Sequence, residues 1–135
     1  RKRWIRLLRL LKSLYQNKFE RKIVMKDCIF CKIVKGEIPS KKIYEDDKIL
    51  VFYDIEPKAP VHFLVIPKEH ISGAGEINSE NSEIVARIFE VIPKVAADLG
   101  VGSYRIVTNN GPDAGQTVFH LHFHVMGGKV LGNMA

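Results

Sequence analysis

The chain has 135 residues, of which 46% are hydrophobic and 9% aromatic, so it can enclose a single compact core and we expect one globular domain. Its net charge of +6 is unevenly placed: residues 1–24 carry +8, whereas residues 25–135 carry −2. No uninterrupted apolar run reaches the length of a membrane span, and two cysteines without a cleavable signal pattern indicate a reducing, cytoplasmic compartment rather than a secreted disulfide scaffold.

Residues 1–24 have the pattern of a basic amphipathic helix. Their apolar residues recur at helical spacing on one face, namely Trp4, Leu7, Leu8, Leu11, Leu14 and Tyr15. Such a helix can lie on an anionic membrane surface or cover a groove of a partner. The alternative is that Met25 is the true initiator and that the segment is an artefact of the chosen start. We therefore divide the chain into an N-terminal extension, residues 1–24, and a domain, residues 25–135. Nucleic-acid binding by this segment is not accompanied by any sequence motif that reads bases.

The domain alternates predicted strands and helices. Residues 49–55, ILVFYDI, and 61–67, VHFLVIP, are rich in β-branched and aromatic side chains and are separated by a turn with two prolines, so we expect adjacent antiparallel strands. A 3.6-residue apolar period over residues 79–99 predicts the one long helix, with Asn78 or Ser79 as N-cap and Gly100 as its end. Pro93 falls on the polar side, where we expect a kink rather than an end.

Three of the five histidines, His120, His122 and His124, occupy alternate positions near the C-terminal end. They fall in residues 118–126, which with residues 103–109 predict two more strands around the loop NGPDAGQ. Strand side chains alternate between faces, so we expect the three imidazoles on one face, about 6.5–7 Å apart. The row can supply several ligands to one metal, as in zinc hydrolases, or divide metal binding, nucleophilic attack and hydrogen-bond donation among its members.

Cys28 and Cys31 lie on one side of a predicted helical turn, where two thiolates suit a single Zn²⁺. Thioredoxin-like sites share the Cys-x-x-Cys spacing, but their usual strand-then-helix setting is missing here. Tetrahedral closure asks for two further ligands, and His70 and His120 are the candidates. A zinc with four protein ligands has no open position for water, so it would be structural and would leave His122 free for chemistry.

The segment HLHFHVMGG resembles the motif that names the histidine-triad nucleotide hydrolases and transferases, and the similarity covers residues 27–128. The segment IPSKKIYEDD and the two glycines after the triad are similar to the Hint branch rather than the Fhit branch. The zinc site of bacterial members matches Cys28, Cys31, His70 and His120. The resemblance implies an α+β fold, with one long and one short helix and a five-stranded antiparallel sheet that pairs with a second subunit in a homodimer.

The same resemblance implies nucleotidyl transfer by double displacement. His122 matches the nucleophile that attacks the α-phosphorus of a nucleoside monophosphate derivative and forms a covalent nucleotidyl-histidine. His124 matches the donor to a phosphate or bridging oxygen, and His62 the histidine that supports this network. Thr117 stands at a catalytic hydroxyl position that is Ser in many relatives.

The resemblance also implies a nucleotide pocket. Asp54 matches the carboxylate that receives both ribose hydroxyls. Besides the histidines, the phosphate and ribose positions match Asn109, Gly115, Gln116 and Thr117. The apolar slot for the base would comprise Ile29, Phe30, Ile33, Phe52, Ile55 and Leu64. Few polar groups that read a base occur at the matched positions, so we expect a purine nucleotide with weak discrimination between adenine and guanine.

The leading hypothesis is therefore a purine nucleoside phosphoramidate or nucleotidyl hydrolase with a structural zinc. A second hypothesis keeps the fold and cleaves dinucleoside polyphosphates, and a third is a nucleotide-binding partner protein with residual turnover. A metal hydrolase with His120 and His122 as catalytic zinc ligands is a further alternative, which Cys28 and Cys31 oppose.

Overall fold

A computed structural model describes residues 27–134 together with Arg6; apart from Arg6, the amphipathic helix predicted in residues 1–24 lies outside the described residues. In chain order the elements are α1 (Ile29–Val34), β1 (Lys42–Glu45), β2 (Ile49–Tyr53), β3 (Val61–Pro67), α2 (Glu83–Asp98), β4 (Tyr104–Val107) and β5 (Phe123–Gly127). The five strands form one antiparallel sheet in the order β1-β2-β3-β5-β4. The predicted α+β fold with one long and one short helix is thereby confirmed.

The sheet register brings the histidine-bearing strands together. Strands β2 and β3 are adjacent and antiparallel as predicted, with Val51 opposite Val65. Strand β5 then pairs with the other side of β3 and places His124 opposite Leu64. The edge strand β1 was not predicted from its own residues, KIYE, because it is only four residues long, two of the four are charged, and most of them are exposed.

Each face of the sheet covers a separate hydrophobic cluster, because successive side chains of a strand point to opposite sides. One cluster packs against α2 and contains Ile49, Val51, Phe63, Val65, Ile88, Ile92, Val95, Leu121, Phe123 and Val125. The other packs against α1 and contains Cys28, Phe30, Cys31, Ile33, Leu50, Phe52, Leu64 and Ile66. The helix α2 therefore supports the sheet from behind, while α1 shares its face with the histidines.

The long helix begins later than predicted. It starts at Glu83, after an N-cap at Ser82 that makes no side-chain hydrogen bond, so the predicted caps at Asn78 and Ser79 were wrong. The Asn78 Oδ1 atom instead accepts a 2.8 Å hydrogen bond from the backbone of Glu80, which closes a local turn before the helix. The helix continues through Pro93, which is exposed, and ends before Gly100, whose φ of +73° suits glycine. Within the described part of the chain, no helix is long and apolar enough to cross a membrane.

The last strand is shorter than predicted. Strand β5 begins at Phe123, so residues 118–122 lie outside the regular ladder and only one of the three histidines, His124, lies on a strand. The reason is that this segment pairs with loops instead: the Leu121 amide donates to the Ile71 carbonyl at 2.6 Å, and the Gln116 amide donates to the Val118 carbonyl at 3.1 Å. The alternation of side chains nevertheless persists, because Leu121, Phe123 and Val125 all enter the cluster beneath α2.

Candidate active site

The three histidines of the motif diverge into two neighbouring centres. His122 and His124 stay together, with ring centroids 5.0 Å apart. His120 turns instead toward the two cysteines and toward His70, whose ring centroid lies 5.0 Å from its own. The expected row of three evenly spaced imidazoles is therefore wrong in detail, because His120 and His122 precede the strand.

Hydrogen bonds assign the protons of His62 and His124. The backbone N–H of Lys58 donates to His62 Nδ1 at 3.0 Å, so the proton of the neutral His62 ring lies on Nε2. That Nε2–H faces His124 Nδ1 at 2.9 Å, which makes Nδ1 of His124 an acceptor. The remaining proton of His124 therefore lies on its Nε2. The pair therefore presents Nε2–H of His124 as a hydrogen-bond donor, and its donation to a phosphate, which the resemblance implies, stays a prediction.

Asp54 lies beside this histidine pair. Its Oδ2 atom is 3.4 Å from His62 Nε2 and 3.8 Å from His124 Nδ1, while Oδ1 accepts a hydrogen bond from the backbone of Glu56 at 2.8 Å. Burial nevertheless lowers the pKa of His124 to about 4, with the neighbouring histidines adding to the effect, and burial also lowers the pKa of His62. Both rings are therefore neutral at physiological pH.

The proton of His122 is also assigned by a backbone group. Its Nδ1 lies 2.7 Å from the carbonyl oxygen of His120, and because a carbonyl can only accept, Nδ1 must carry the proton. The Nε2 atom then retains its lone pair. The side chain is 6% exposed, and this burial lowers the pKa of the ring. An unprotonated imidazole nitrogen with a fixed tautomer is what a nucleophile requires.

The second centre contains two thiols and two imidazoles. One ligand atom from each of Cys28, Cys31, His70 and His120 lies within 4.8 Å of all the others. His120 Nδ1 is 3.3 Å from the Cys28 sulfur and 3.5 Å from the Cys31 sulfur, and His70 Nδ1 is 3.2 Å from the Cys31 sulfur. The helix α1 makes this approach possible, because Cys28 is its N-cap and Cys31 lies in its first turn.

The donor set fits a metal ion. His120 Nε2 lies 2.8 Å from the carbonyl oxygen of Pro67, so Nε2 carries the proton and Nδ1 offers its lone pair to the centre of the cluster. Burial and the neighbouring Cys28 raise the pKa of Cys31 to about 12, which a bound cation would reverse. Thiolate and imidazole are the ligands that Zn²⁺ prefers in tetrahedral sites. The predicted ligands are thus brought together, and their chemistry suits zinc.

Phe30 joins the two centres. It is buried, and its ring packs edge-on against His122 at a centroid distance of 5.1 Å, against His120 at 5.9 Å and against Phe52 at 5.5 Å. Of the six residues predicted for the base slot, Phe30 and three others are buried on this face, whereas Ile29 and Ile55 are 51% and 95% exposed. The first four belong to one hydrophobic cluster, Ile29 and Ile55 are exposed, and the slot for the base stays a prediction.

The loop before the histidine motif carries the predicted phosphate positions. Thr117 and Gly115 are exposed, Asn109 is half-buried, and Gly115 has a φ of +95° that favours glycine. Gln116 is buried, and its amide donates to the carbonyls of Ser72 and Val118 and accepts from the backbone of Gly111 at 2.8 Å. Its side chain therefore braces the loop internally, and its contact with a phosphate stays a prediction.

The groups that set the tautomers were missed by the sequence reasoning. They are backbone atoms of Lys58, Pro67 and His120, and no side-chain pattern marks them. Thr108 was also missed; its hydroxyl donates to the His122 carbonyl at 2.8 Å. Its only signal was its position next to Asn109 at the end of a predicted strand.

Comparisons with known proteins agree with this geometry. The sequence profile of the HIT domain matches residues 35–131. An uncharacterized HIT-like protein of Synechocystis sp. is 46% identical over 104 residues, which are 76% of this chain and 91% of that protein. The solved structure of a HIT family hydrolase from Clostridium thermocellum is 51% identical, with a TM-score of 0.78 over 80% of this chain and 96% of that chain. A histidine triad protein from Clostridium difficile is 48% identical, with a TM-score of 0.78 over 81% of this chain and 96% of that chain. The chain therefore belongs to the HIT domain family.

Proposed function

We propose that this protein hydrolyses purine nucleoside phosphoramidates or related nucleotidyl compounds through a covalent intermediate on His122. The observation that carries the proposal is the 2.7 Å hydrogen bond from His122 Nδ1 to the His120 carbonyl, which leaves Nε2 unprotonated in a buried, neutral ring. The similarity to a solved HIT family hydrolase supports a hydrolytic reaction.

The first half-reaction uses His122 and His124. The Nε2 lone pair of His122 attacks the α-phosphorus and forms a phosphorus–nitrogen bond, while the bond to the leaving group breaks; the leaving group keeps the electron pair of that bond and takes a proton from solvent. His124 Nε2–H donates to a phosphate or bridging oxygen as charge develops there, because His62 holds the other nitrogen of the ring as an acceptor. Donors fixed before the reaction begins avoid reorganisation in the transition state.

Water completes the second half-reaction. It attacks the same phosphorus and releases one proton to solvent, the bond to His122 breaks with its electron pair returning to Nε2, and the nucleoside monophosphate leaves. Asp54 is proposed to accept hydrogen bonds from the ribose hydroxyls, and the cluster that includes Phe30, Ile33, Phe52 and Leu64 is proposed to support the base. Thr117 and Gly115 are proposed to line the site of the phosphate.

We propose that Cys28, Cys31, His70 and His120 hold a structural Zn²⁺ of the kind found in bacterial members of the Hint branch. A four-ligand zinc supplies folding free energy rather than an activated water. Ligation through His70 Nδ1, which lies 3.2 Å from the Cys31 sulfur, would fix this ring and leave the proton on its buried Nε2, which has no hydrogen-bond partner among the described residues.

We also propose a homodimer in which the sheet continues into a second subunit. Strand β4 stands at one edge of the sheet, and an edge strand presents unpaired backbone groups to any partner strand. Analytical ultracentrifugation across a concentration series tests this: a monomer at all concentrations would contradict it.

The decisive experiment on the reaction compares the parent with His122→Ala on adenosine phosphoramidate. Turnover should fall at least about 100-fold, while AMP binding changes little, because the lost bond forms only along the reaction path. Acid quenching during turnover should trap one nucleotidyl group on the peptide that contains His122. Residual hydrolysis within about tenfold of the parent, which is only ~1.4 kcal/mol in the barrier, would contradict the assignment.

A parallel assay with a diadenosine polyphosphate separates the alternatives. A higher kcat/KM on the polyphosphate than on the phosphoramidate would favour the second hypothesis of the sequence analysis. AMP binding without turnover of either compound would favour a nucleotide-binding partner protein.

A further inference from the structure

The proposed nucleophile lies just beyond the regular sheet. Pairing between β4 and β5 ends with Val107 opposite His124, and β5 itself begins at Phe123. The backbone around His122 is therefore held by individual hydrogen bonds rather than by an uninterrupted ladder. A nucleophile in such a segment depends on each of those bonds for its position, because small displacements of reacting groups are costly.

Three of these bonds surround His122. The Leu121 amide donates to the Ile71 carbonyl at 2.6 Å, and the His122 ring donates to the His120 carbonyl at 2.7 Å. The third runs from the Thr108 hydroxyl to the His122 carbonyl at 2.8 Å. The first two use the backbone and the nucleophile itself. The third is supplied by a side chain from the neighbouring segment, directly after β4.

We propose that Thr108 is a positioning residue for His122; this inference rests on the proposed function. Its hydroxyl takes the place of a ladder hydrogen bond where the strands separate, and it satisfies the carbonyl of the residue that attacks phosphorus. The β-branched side chain restricts rotation about χ1, which limits the orientations open to the hydroxyl. Thr108 is half-buried, which shields the bond from exchange with water.

The location of Thr108 gives this bond a second effect. Thr108 precedes Asn109, a predicted phosphate or ribose contact, at the start of the loop that Gln116 braces through Gly111. One hydroxyl therefore ties the start of this loop to the backbone of the nucleophile. Loss of the bond should alter the distance between bound phosphate and His122 Nε2 more than it alters the affinity for the nucleotide.

The test uses Thr108→Val, which keeps the shape of the side chain and removes the hydroxyl, and Thr108→Ser, which keeps the hydroxyl. Thr108→Val should lower kcat and the rate of adduct formation on His122 about tenfold or more, with KM within about threefold of the parent. Thr108→Ser should restore at least about half of the parental rate. Tyr44→Phe is the matched control, because it removes a hydroxyl that donates to Asp46 at 2.8 Å on the edge strand β1 and should leave kcat unchanged.

Two results would overturn the inference while the proposed function stands: adduct formation in Thr108→Val within about twofold of the parental rate, or a loss that Thr108→Ser does not restore. If Thr108→Val does not fold, as shown by its thermal unfolding, Thr108→Ala and Thr108→Ser provide the same comparison. Failure of the parent itself to form an adduct on His122 would overturn the proposed function, and the role of Thr108 with it.

Discussion

Acidification should destabilise the folded protein through His124. The ordinary pKa of the ring is 6.5, and burial lowers it to about 4 in the folded chain, where its side chain is 21% exposed. Between these two values the unfolded chain binds a proton that the folded chain excludes. The stability that the neutral His124 ring contributes is therefore fully present above about pH 6.5. It is lost progressively as the pH falls toward the pKa of the folded state, and the loss levels off below that pKa.

The size of the effect follows from the two pKa values. Lowering the pH from about 7.5 to about 5.5 should remove about 1.3 kcal/mol of unfolding free energy through His124 alone. For a domain of this size that corresponds to a fall of roughly 5 °C in the midpoint of thermal unfolding. The other buried histidines add their own losses, so the contribution of His124 must be isolated by a variant.

The matched variant is His124→Asn, whose side-chain oxygen can still accept the hydrogen bond from His62 Nε2–H but does not titrate. Thermal unfolding of zinc-loaded parent and variant at both pH values gives the difference between their two losses. The variant should lose about 1.3 kcal/mol less than the parent. Equal losses, or an NMR titration that gives His124 a pKa at or above its ordinary value, would refute the reasoning.

Two further predictions concern the metal and the N-terminal extension. Metal analysis of freshly purified protein should find about one Zn²⁺ per chain. The double substitution Cys28→Ser and Cys31→Ser should reduce the zinc content below roughly a tenth of an equivalent and lower the midpoint of thermal unfolding measured by calorimetry. An equal zinc content in the parent and the double variant would contradict the site. Residues 1–24, if translated, should bind vesicles that contain anionic lipid at low salt and release them at high salt, since each basic residue contributes about 1 kcal/mol near such a surface. If a chain that starts at Met25 co-sediments with the vesicles as well as the full chain does, membrane binding by residues 1–24 is excluded. The full chain and the shortened chain should turn over soluble substrate at the same rate.

Much of the fold could be predicted because it depends on local patterns. The β-branched runs of β2 and β3 and the 3.6-residue period of α2 specify buried surfaces within single segments. The beginning of α2 was less predictable, because its N-cap Ser82 makes no side-chain capping bond and Asn78 bonds instead to the backbone of Glu80 in the preceding turn. Strand β5 begins only at Phe123 because the preceding residues bond to loops distant in sequence, and an alternating pattern of side chains carries no information about such loops.

The candidate site was predictable in its residues and not in its protons. The Cys-x-x-Cys spacing and the alternate histidines identified Cys28, Cys31, His120, His122 and His124, and the family resemblance added Asp54 and His62; the structure brings the ligand atoms of each cluster within 4.8 Å of one another. The tautomers of His62, His120 and His122 instead depend on backbone groups that strand register and chain turns carry to them. A sequence specifies such groups only through the whole fold, so reasoning from motifs could not reach them.

The two-sided sheet has a consequence for how the protein tolerates substitution. In β2 and β3 the odd-numbered positions, such as Val51 and Val65, lie beneath α2, whereas the even-numbered positions, such as Phe52 and Leu64, lie on the histidine side. The consequence of a substitution should therefore alternate from one residue to the next along each strand. We expect substitutions at odd positions to lower the stability of the fold, whereas substitutions at even positions should lower stability and, under the proposed function, also lower catalysis. Substitutions on the histidine side can therefore change the candidate site while the cluster beneath α2 still supports the sheet.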